Sequence, residues 1–308
     1  MKLRRWWRRR ERRDLYRPTG NAGSLHHGIA MLEQRFPDVR SPSAAEPIFL
    51  LSAGWRSGST LPQRRVMSTP HVLIWGEPYG HAALIDQLAY PLRCMTEQWP
   101  HDDWFDVPPP DEPSGRQAWM TNLFPPVSAL LAAHVQWFEQ LFAVPAAQAG
   151  FRRWGLKEVR LSGDHARYLR WVFPRARFVM LYRNPYEAYR SYRRWRSWYL
   201  RWPDDPVTEP VRFGRHWRAL VESFLAQSSA VSALVVRYDE LVNDRFAVDE
   251  LAAHLNLTVP AALTLERVDS RQRPGKQPHE SEPIPDDELQ LLRAAVEPLA
   301  NQLGYLYR

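Results

Sequence analysis

The stretch Phe49-Leu50-Leu51-Ser52-Ala53-Gly54-Trp55-Arg56-Ser57-Gly58-Ser59-Thr60-Leu61 demands a strand, a tight turn and a helix in immediate succession. Its apolar start reads as a buried strand, and the small, hydroxyl-rich residues after it lead into a helix. A turn of this kind offers a nest of backbone N–H groups and the positive end of a helix to an anion, commonly a phosphate. The pattern approaches a Walker A loop, yet Arg56 and the Ser57-Gly58-Ser59-Thr60 run stand where Gly-Lys-Ser/Thr is expected. Without that lysine, a magnesium-nucleotide hydrolase or kinase is the less natural reading. A Gly/Ser-rich turn between strand and helix that binds nothing fits the same residues.

With 308 residues, the chain is long enough for one large α/β domain with a sizeable core. Its single cysteine, Cys94, excludes an internal disulfide framework and a thiolate metal cluster. A reducing cytoplasm fits this usage. No apolar run reaches the roughly 18–20 residues that span a bilayer.

The net charge of +7 is unevenly spread. Residues 1–13 carry eight basic side chains against Glu11 alone, which equals the charge of the entire chain and leaves the remainder formally neutral. Trp6 and Trp7 interrupt the arginines, a composition that suits an anionic membrane surface and a peripheral location. A polyanion would also attract this arm, and a solvated tail has the same composition. No sequence-specific nucleic-acid motif accompanies it. No apolar segment follows the arginines, so the arm does not read as a signal peptide.

Strand-like segments at residues 47–52, 71–75, 155–161, 178–182 and 234–237 alternate with helical patterns at 59–68, 82–92, 126–142, 164–173, 184–200, 212–227, 248–255 and 285–303. A shorter helix is expected at 27–35. This alternation predicts a three-layer α/β fold with a mainly parallel central sheet flanked by helices. Residues 1–46 read as a basic arm and lead-in, and 47–308 as the main domain. The Trp- and Pro-rich stretch 98–125 reads as a loop over a site or an insertion.

Ligands of such sheets bind beyond the carboxyl ends of the strands. Four polar constellations fall at those ends: the Arg56 loop, Glu77, Lys157-Glu158, and Arg183-Asn184-Pro185. The last opens a helix that carries Ser191, and an arginine with a hydroxyl can grip one phosphate. Helix capping and a salt bridge account for the same residues. Lys157 lies inside a predicted strand, where an unpaired ammonium is costly, so an anionic ligand or Glu158 must face it. No Cys/His cluster has zinc spacing, and no Asp-rich run suggests magnesium.

Taken together, Trp55-Arg56-Ser57-Gly58-Ser59-Thr60-Leu61 and the Arg183-Asn184-Pro185 segment with Ser191 resemble the sulfotransferases that use 3′-phosphoadenosine-5′-phosphosulfate (PAPS), in its bacterial-type, P-loop-fold branch. The likeness spans about residues 47–280. It implies that Arg56, Ser57, Gly58, Ser59 and Thr60 hold the 5′-phosphosulfate, and that Arg183 and Ser191 hold the 3′-phosphate. Tyr238, after the strand at 234–237, is similar to a tyrosine that lines the family's nucleotide site. Arg273, Gly275 and Lys276 lie where the family closes a basic loop over the 3′-phosphate. The resemblance further implies sulfuryl transfer to an acceptor hydroxyl on a carbohydrate, lipid, peptide or small molecule, with no metal.

In that reaction, Arg56 and Lys157 would stabilise the sulfuryl group, and Glu77 would be the base. Trp75 and Tyr79 around Glu77 suggest an apolar setting that raises its pKa. The histidine base of the family's cytosolic branch has no counterpart motif here, and His81 is the nearest substitute. A helix-start carboxylate is the simpler account of Glu77. A P-loop phosphotransferase, and a non-enzymatic protein that binds polyanions or membranes through the arm, are the rival functions.

Overall fold

The computed structural model describes residues 23–105, 123–195, 209–243, 245–257 and 282–307. In chain order these form helix α1 (Leu25–Arg35), strand β1 (Ile48–Ser52), α2 (Thr60–Met67), β2 (Val72–Trp75), α3 (Leu84–Ala89), α4 (Val127–Phe138) and α5 (Val144–Gln148). There follow β3 (Arg153–Glu158), α6 (Gly163–Val172), β4 (Arg177–Tyr182), α7 (Pro185–Arg193), α8 (Pro210–Gln227), β5 (Leu234–Arg237), α9 (Tyr238–Asn243), α10 (Arg245–Leu255) and α11 (Asp286–Gln302). The described residues group into two compact units, one drawn from 1–40 and 87–130 and the other from 41–86 and 131–308.

The second unit contains the sheet. Its order is β2-β3-β1-β4-β5, and every pairing is parallel, as the alternation of strands and helices predicts. All five residues of β1 are buried, the mark of a central strand covered on both faces. Period-2 alternation sends Ile48 and Leu50 to one face, where they join Val66 of α2, Val179, Leu181 and Leu251 of α10. Phe49 takes the other face and meets Phe178 at 5.3 Å and Trp154 at 6.1 Å between ring centroids. Phe138 of α4 extends this aromatic layer through Phe173 at 5.7 Å.

Several boundaries differ from the sequence expectation. The helix expected over 126–142 breaks into a π-helical turn at Glu139–Ala143 and resumes as α5. β3 ends at Glu158, short of Leu161, because the chain turns there into the N-cap of α6 at Ser162. The helix expected over 82–92 is a 3₁₀ turn, the short α3 and a second 3₁₀ turn at Tyr90–Cys94. Residues 196–200 of the helix expected to reach Leu200 lie outside the described residues, and α7 ends at Arg193.

In the first unit, the lead-in contributes buried core. Leu25, Ile29 and Leu32 of α1 are buried, and Gly28 lies so close to Leu92 that an added Cβ would stand 1.9 Å from its carbonyl oxygen. Arg35 donates to the Thr96 and Trp99 carbonyls at 2.8 and 2.9 Å and pairs with Asp102. Part of the Trp-rich stretch is packed aromatic structure, with Trp99 and Trp104 edge-to-face at 4.6 Å. Residues 106–122 of that stretch, like the arm at 1–13, lie outside the described residues.

Candidate active site

β1 occupies the middle of the sheet, so the turn after it opens among the carboxyl ends of β3 and β4. In that turn Gly54, Arg56 and Gly58 all have positive φ, +81°, +62° and +88°. Left-handed residues interleaved with others aim successive N–H groups toward one point, and holding Arg56 in this region has a cost that the surroundings must support. Ser57 is 1 % exposed, and its Oγ and that of Ser52 are buried without a hydrogen-bond partner among the described residues. Buried hydroxyls normally find partners, so two orphans beside an N–H nest fit an anionic ligand. Ser59 is buried at the N-cap position of α2 without a side-chain capping bond, while Thr60 is the exposed first residue of that helix.

Gly58 is required for a second reason. A Cβ there would lie 2.2 Å from the Tyr238 ring. Gly58→Ala therefore combines a clash with an unfavourable φ and is expected to destabilise the fold by about 1–3 kcal/mol. A lowered urea midpoint would register it; an unchanged midpoint would show that Tyr238 yields at no cost.

β4 delivers Arg183 to the same turn, and Asn184 caps α7 by accepting the Tyr186 N–H at 3.0 Å. Arg183 Nη1 donates to the Arg56 carbonyl at 3.2 Å, and its guanidinium lies 4.6 Å from the centroid of the Tyr238 ring. Burial lowers the Arg183 pKa, an effect opposed by Tyr238, Glu187 and Asp239 and reinforced by Arg56. The Arg183 Nε is buried with no hydrogen-bond partner among the described residues. Ser191, two turns into α7, accepts from Arg56 Nε at 2.9 Å. The fold thus gathers Arg56, Arg183, Ser191 and Tyr238. The Arg56 side chain, assigned by the resemblance to the 5′-phosphosulfate, lies against Ser191 and the Trp195 ring, 5.6 Å away.

A second charged cluster stands at the ends of β2 and β3. Lys157 Nζ pairs with Glu77 Oε1 at 2.5 Å, and Arg160 Nη1 with Glu77 Oε2 at 2.9 Å. Lys157 was expected to face Glu158 or an anion, but consecutive strand residues point to opposite faces, so its partner comes from the neighbouring strand end. The setting of Glu77 is cationic: Trp75 donates its indole N–H to the Phe142 carbonyl, and Tyr79 is 67 % exposed.

Glu158 is buried, accepts the Val159 N–H at 3.1 Å and lies 3.7 Å from Arg160. Burial pushes its pKa up to about 7; Glu77 adds to the rise, while Arg160, the Val159 N–H and Lys157 oppose it. Alongside opens a cavity of about 290 Å³, walled by Pro78, Leu84, Ile85 and Leu161, with Glu158 and Arg160 also in its lining.

Trp55 connects the two clusters. Arg160 covers its ring at 5.6 Å, and His216 of α8 stacks on it at 5.1 Å. Burial, reinforced by Arg160, lowers the His216 pKa to about 4 and keeps the imidazole neutral. Arg160 and His216 are site residues that sequence reasoning did not single out. Arg160 follows Lys157 at the same strand end and was legible in principle, whereas nothing local marks His216.

Arg273, Gly275 and Lys276 lie outside the described residues, and His81 belongs to a 3₁₀ turn, Gly80–Ala82. Among the described residues, no group of His, Cys, Asp or Glu is arranged to hold a metal, and no helix is long and apolar enough to cross a membrane.

The sulfotransferase family model matches residues 47–261. Among solved structures, the chain is similar to the sulfotransferase domain of the Synechococcus PCC 7002 olefin synthase, at 19 % identity and a TM-score of 0.48 over 88 % of this chain and 98 % of that one. It is similar to a sulfotransferase from Alicyclobacillus acidocaldarius at 15 % identity and a TM-score of 0.42, covering 86 % and 98 %. For a sulfotransferase from Mycobacterium avium the values are 17 % and 0.39, covering 78 % and 71 %. No curated protein matches the chain in sequence.

Proposed function

The chain belongs to the sulfotransferase family, and from that membership we propose that it transfers the sulfuryl group of PAPS to an acceptor hydroxyl and releases adenosine 3′,5′-bisphosphate. The observation that carries this reading is the meeting of the two anion motifs. Arg183 reaches the Arg56 carbonyl across 127 positions, and Arg56 reaches Ser191 across 135. One cradle holds two arginines, a serine hydroxyl and an N–H nest, a donor set suited to a ligand with phosphates at two ends.

In this reading Arg183, Ser191 and Arg56 grip the 3′-phosphate. The backbone and hydroxyls of Ser57, Gly58, Ser59 and Thr60 take the 5′-phosphosulfate, and Tyr238 lines the nucleotide. Arg273, Gly275 and Lys276 close over the 3′ end. PAPS supplies an activated sulfuryl group, so the protein's task is positioning and charge stabilisation. Lys157 and Arg160, paired with Glu77, move onto the sulfuryl oxygens as charge builds there. Glu77, the base of the sequence reading, is free to take a proton only after both cations have moved. No metal is needed for this chemistry.

Adenosine 3′,5′-bisphosphate should stabilise the protein against heat. At a hundredfold excess over Kd, linkage supplies about 2.7 kcal/mol, a shift of about 4 °C for a chain of 308 residues. Stabilisation by magnesium-ATP alone would favour the phosphotransferase and reject PAPS. The same assay on a chain lacking residues 1–13 addresses the third reading, with the arm proposed as a contact to anionic membrane surfaces. Deletion should abolish binding to phosphatidylserine vesicles and leave the nucleotide shift intact. Vesicle binding that survives deletion would reject that role of the arm.

A further inference from the structure

Two carboxylates stand at the end of the β2–β3 pair, and they differ in what surrounds them. Glu77 commits both oxygens to ion pairs, at 2.5 Å to Lys157 and 2.9 Å to Arg160. Glu158 has Arg160 only at 3.7 Å and forms part of the cavity wall, a wall to which Glu77 does not contribute. The other polar side chains of the lining are engaged. His165 Nε2 pairs with Asp86 at 2.9 Å, its Nδ1 accepts the Ser162 N–H at 3.1 Å, and Arg160 holds Glu77. The remaining walls are mainly apolar, and the volume is at the lower end of the range for small-molecule sites.

We propose, on the basis of the sulfuryl-transfer reading above, that this cavity takes a compact, mainly apolar alcohol or phenol as acceptor and that Glu158 receives its proton. The acceptor O–H bond breaks and its proton passes to the Glu158 carboxylate. The acceptor oxygen forms a bond to sulfur, and the bond from sulfur to the bridging oxygen breaks. That bond's electron pair leaves on the 5′-phosphate of adenosine 3′,5′-bisphosphate. Atoms and charge balance without a further reactant.

The charged groups that act on Glu158 are Arg160, Glu77 and Lys157 at the strand ends, with His165 and Asp86 in the same cavity lining. Their net effect with burial is a carboxyl that ionises near neutrality, where a general base is most effective. Glu158 has one cation, Arg160, at 3.7 Å, whereas Glu77 holds two, at 2.5 and 2.9 Å, one on each oxygen.

The test uses the full chain with PAPS and measures release of adenosine 3′,5′-bisphosphate. Phenol, benzyl alcohol and 1-hexanol are compared as acceptors with a chitooligosaccharide and a tyrosine-containing peptide. The small acceptors should turn over in preference to the polymeric ones, and turnover should rise with pH through about 7. Glu158→Gln should lower it about 100-fold and flatten that rise, while Glu77→Gln keeps the rise. Leu161→Trp, which fills the cavity, should raise the KM for the acceptor and leave nucleotide stabilisation unchanged.

Stability provides a readout independent of turnover. A carboxyl whose folded pKa is raised contributes stability below its unfolded pKa and loses it as pH rises through about 7. The melting temperature of the parent should therefore fall between pH 6 and 8 relative to Glu158→Gln. Near-parental turnover in Glu158→Gln, or a pH rise lost only in Glu77→Gln, would overturn the role of Glu158. Preference for the oligosaccharide or peptide would overturn the acceptor class. Failure of the underlying reading looks different: adenosine 3′,5′-bisphosphate would not stabilise the protein at all.

Discussion

Lys157→Met should lower sulfuryl transfer by about 10²–10³-fold, the usual effect of removing one charge that stabilises a transition state. Affinity for adenosine 3′,5′-bisphosphate should change by no more than about twofold, since that product lacks the sulfuryl oxygens. The side-chain volume is kept, and Glu77 retains Arg160 at 2.9 Å, so the substitution does not strand the carboxylate. This matters because breaking a buried pair outright costs about 3–5 kcal/mol. A turnover loss matched by a large fall in melting temperature would assign Lys157 to holding Glu77 in place. Parental turnover would remove it from the reaction. Lys157→Arg should restore little, because a planar guanidinium does not present its charge as a compact ammonium does.

Arg183→Met should weaken adenosine 3′,5′-bisphosphate by about 3 kcal/mol, roughly 150-fold, as expected when one partner of a buried charge pair is truncated. Arg183 carries its guanidinium over Tyr238 and against the Arg56 carbonyl, so it is oriented before any phosphate arrives. A preoriented cation loses little side-chain entropy on binding. At saturating PAPS the turnover number should remain near that of the parent, which separates Arg183 from Lys157. Calorimetric titration measures the affinity directly, and an unchanged Kd would reject the 3′-phosphate assignment. Ser191→Ala removes one neutral hydrogen bond and should cost only about 1 kcal/mol.

Local pattern carried the fold a long way. The run from Phe49 to Ser52 is apolar at every pleat position except its end, so a strand buried on both faces is legible in the residues themselves. Asn184 and Pro185 announce a helix start, and α7 begins there. The same reasoning failed at residues 139–143, where a π-helical turn interrupts a continuous apolar pattern, because hydrophobic periodicity does not distinguish one helical hydrogen-bond register from the next. At α1 it foresaw the helix but not its burial. Leu25, Ile29 and Leu32 have helical spacing, but whether a short amphipathic face meets a partner depends on residues more than fifty positions away.

By itself, the sequence determined the central strand, the glycine-containing turn after it, the helix start at Asn184 and the family to which these motifs belong. All are set by neighbours within a few residues, through backbone freedom, side-chain period and capping. Only the tertiary structure decided which charged side chains meet. Arg56 stands in the turn after β1, yet its side chain reaches Ser191, 135 positions on. Lys157 adjoins Glu158, yet the pleat directs it to Glu77. Charges act through space and not along the chain, so the pairing of ions, the neutral state of His216 and the raised pKa of Glu158 exist only once the strand ends have been brought together.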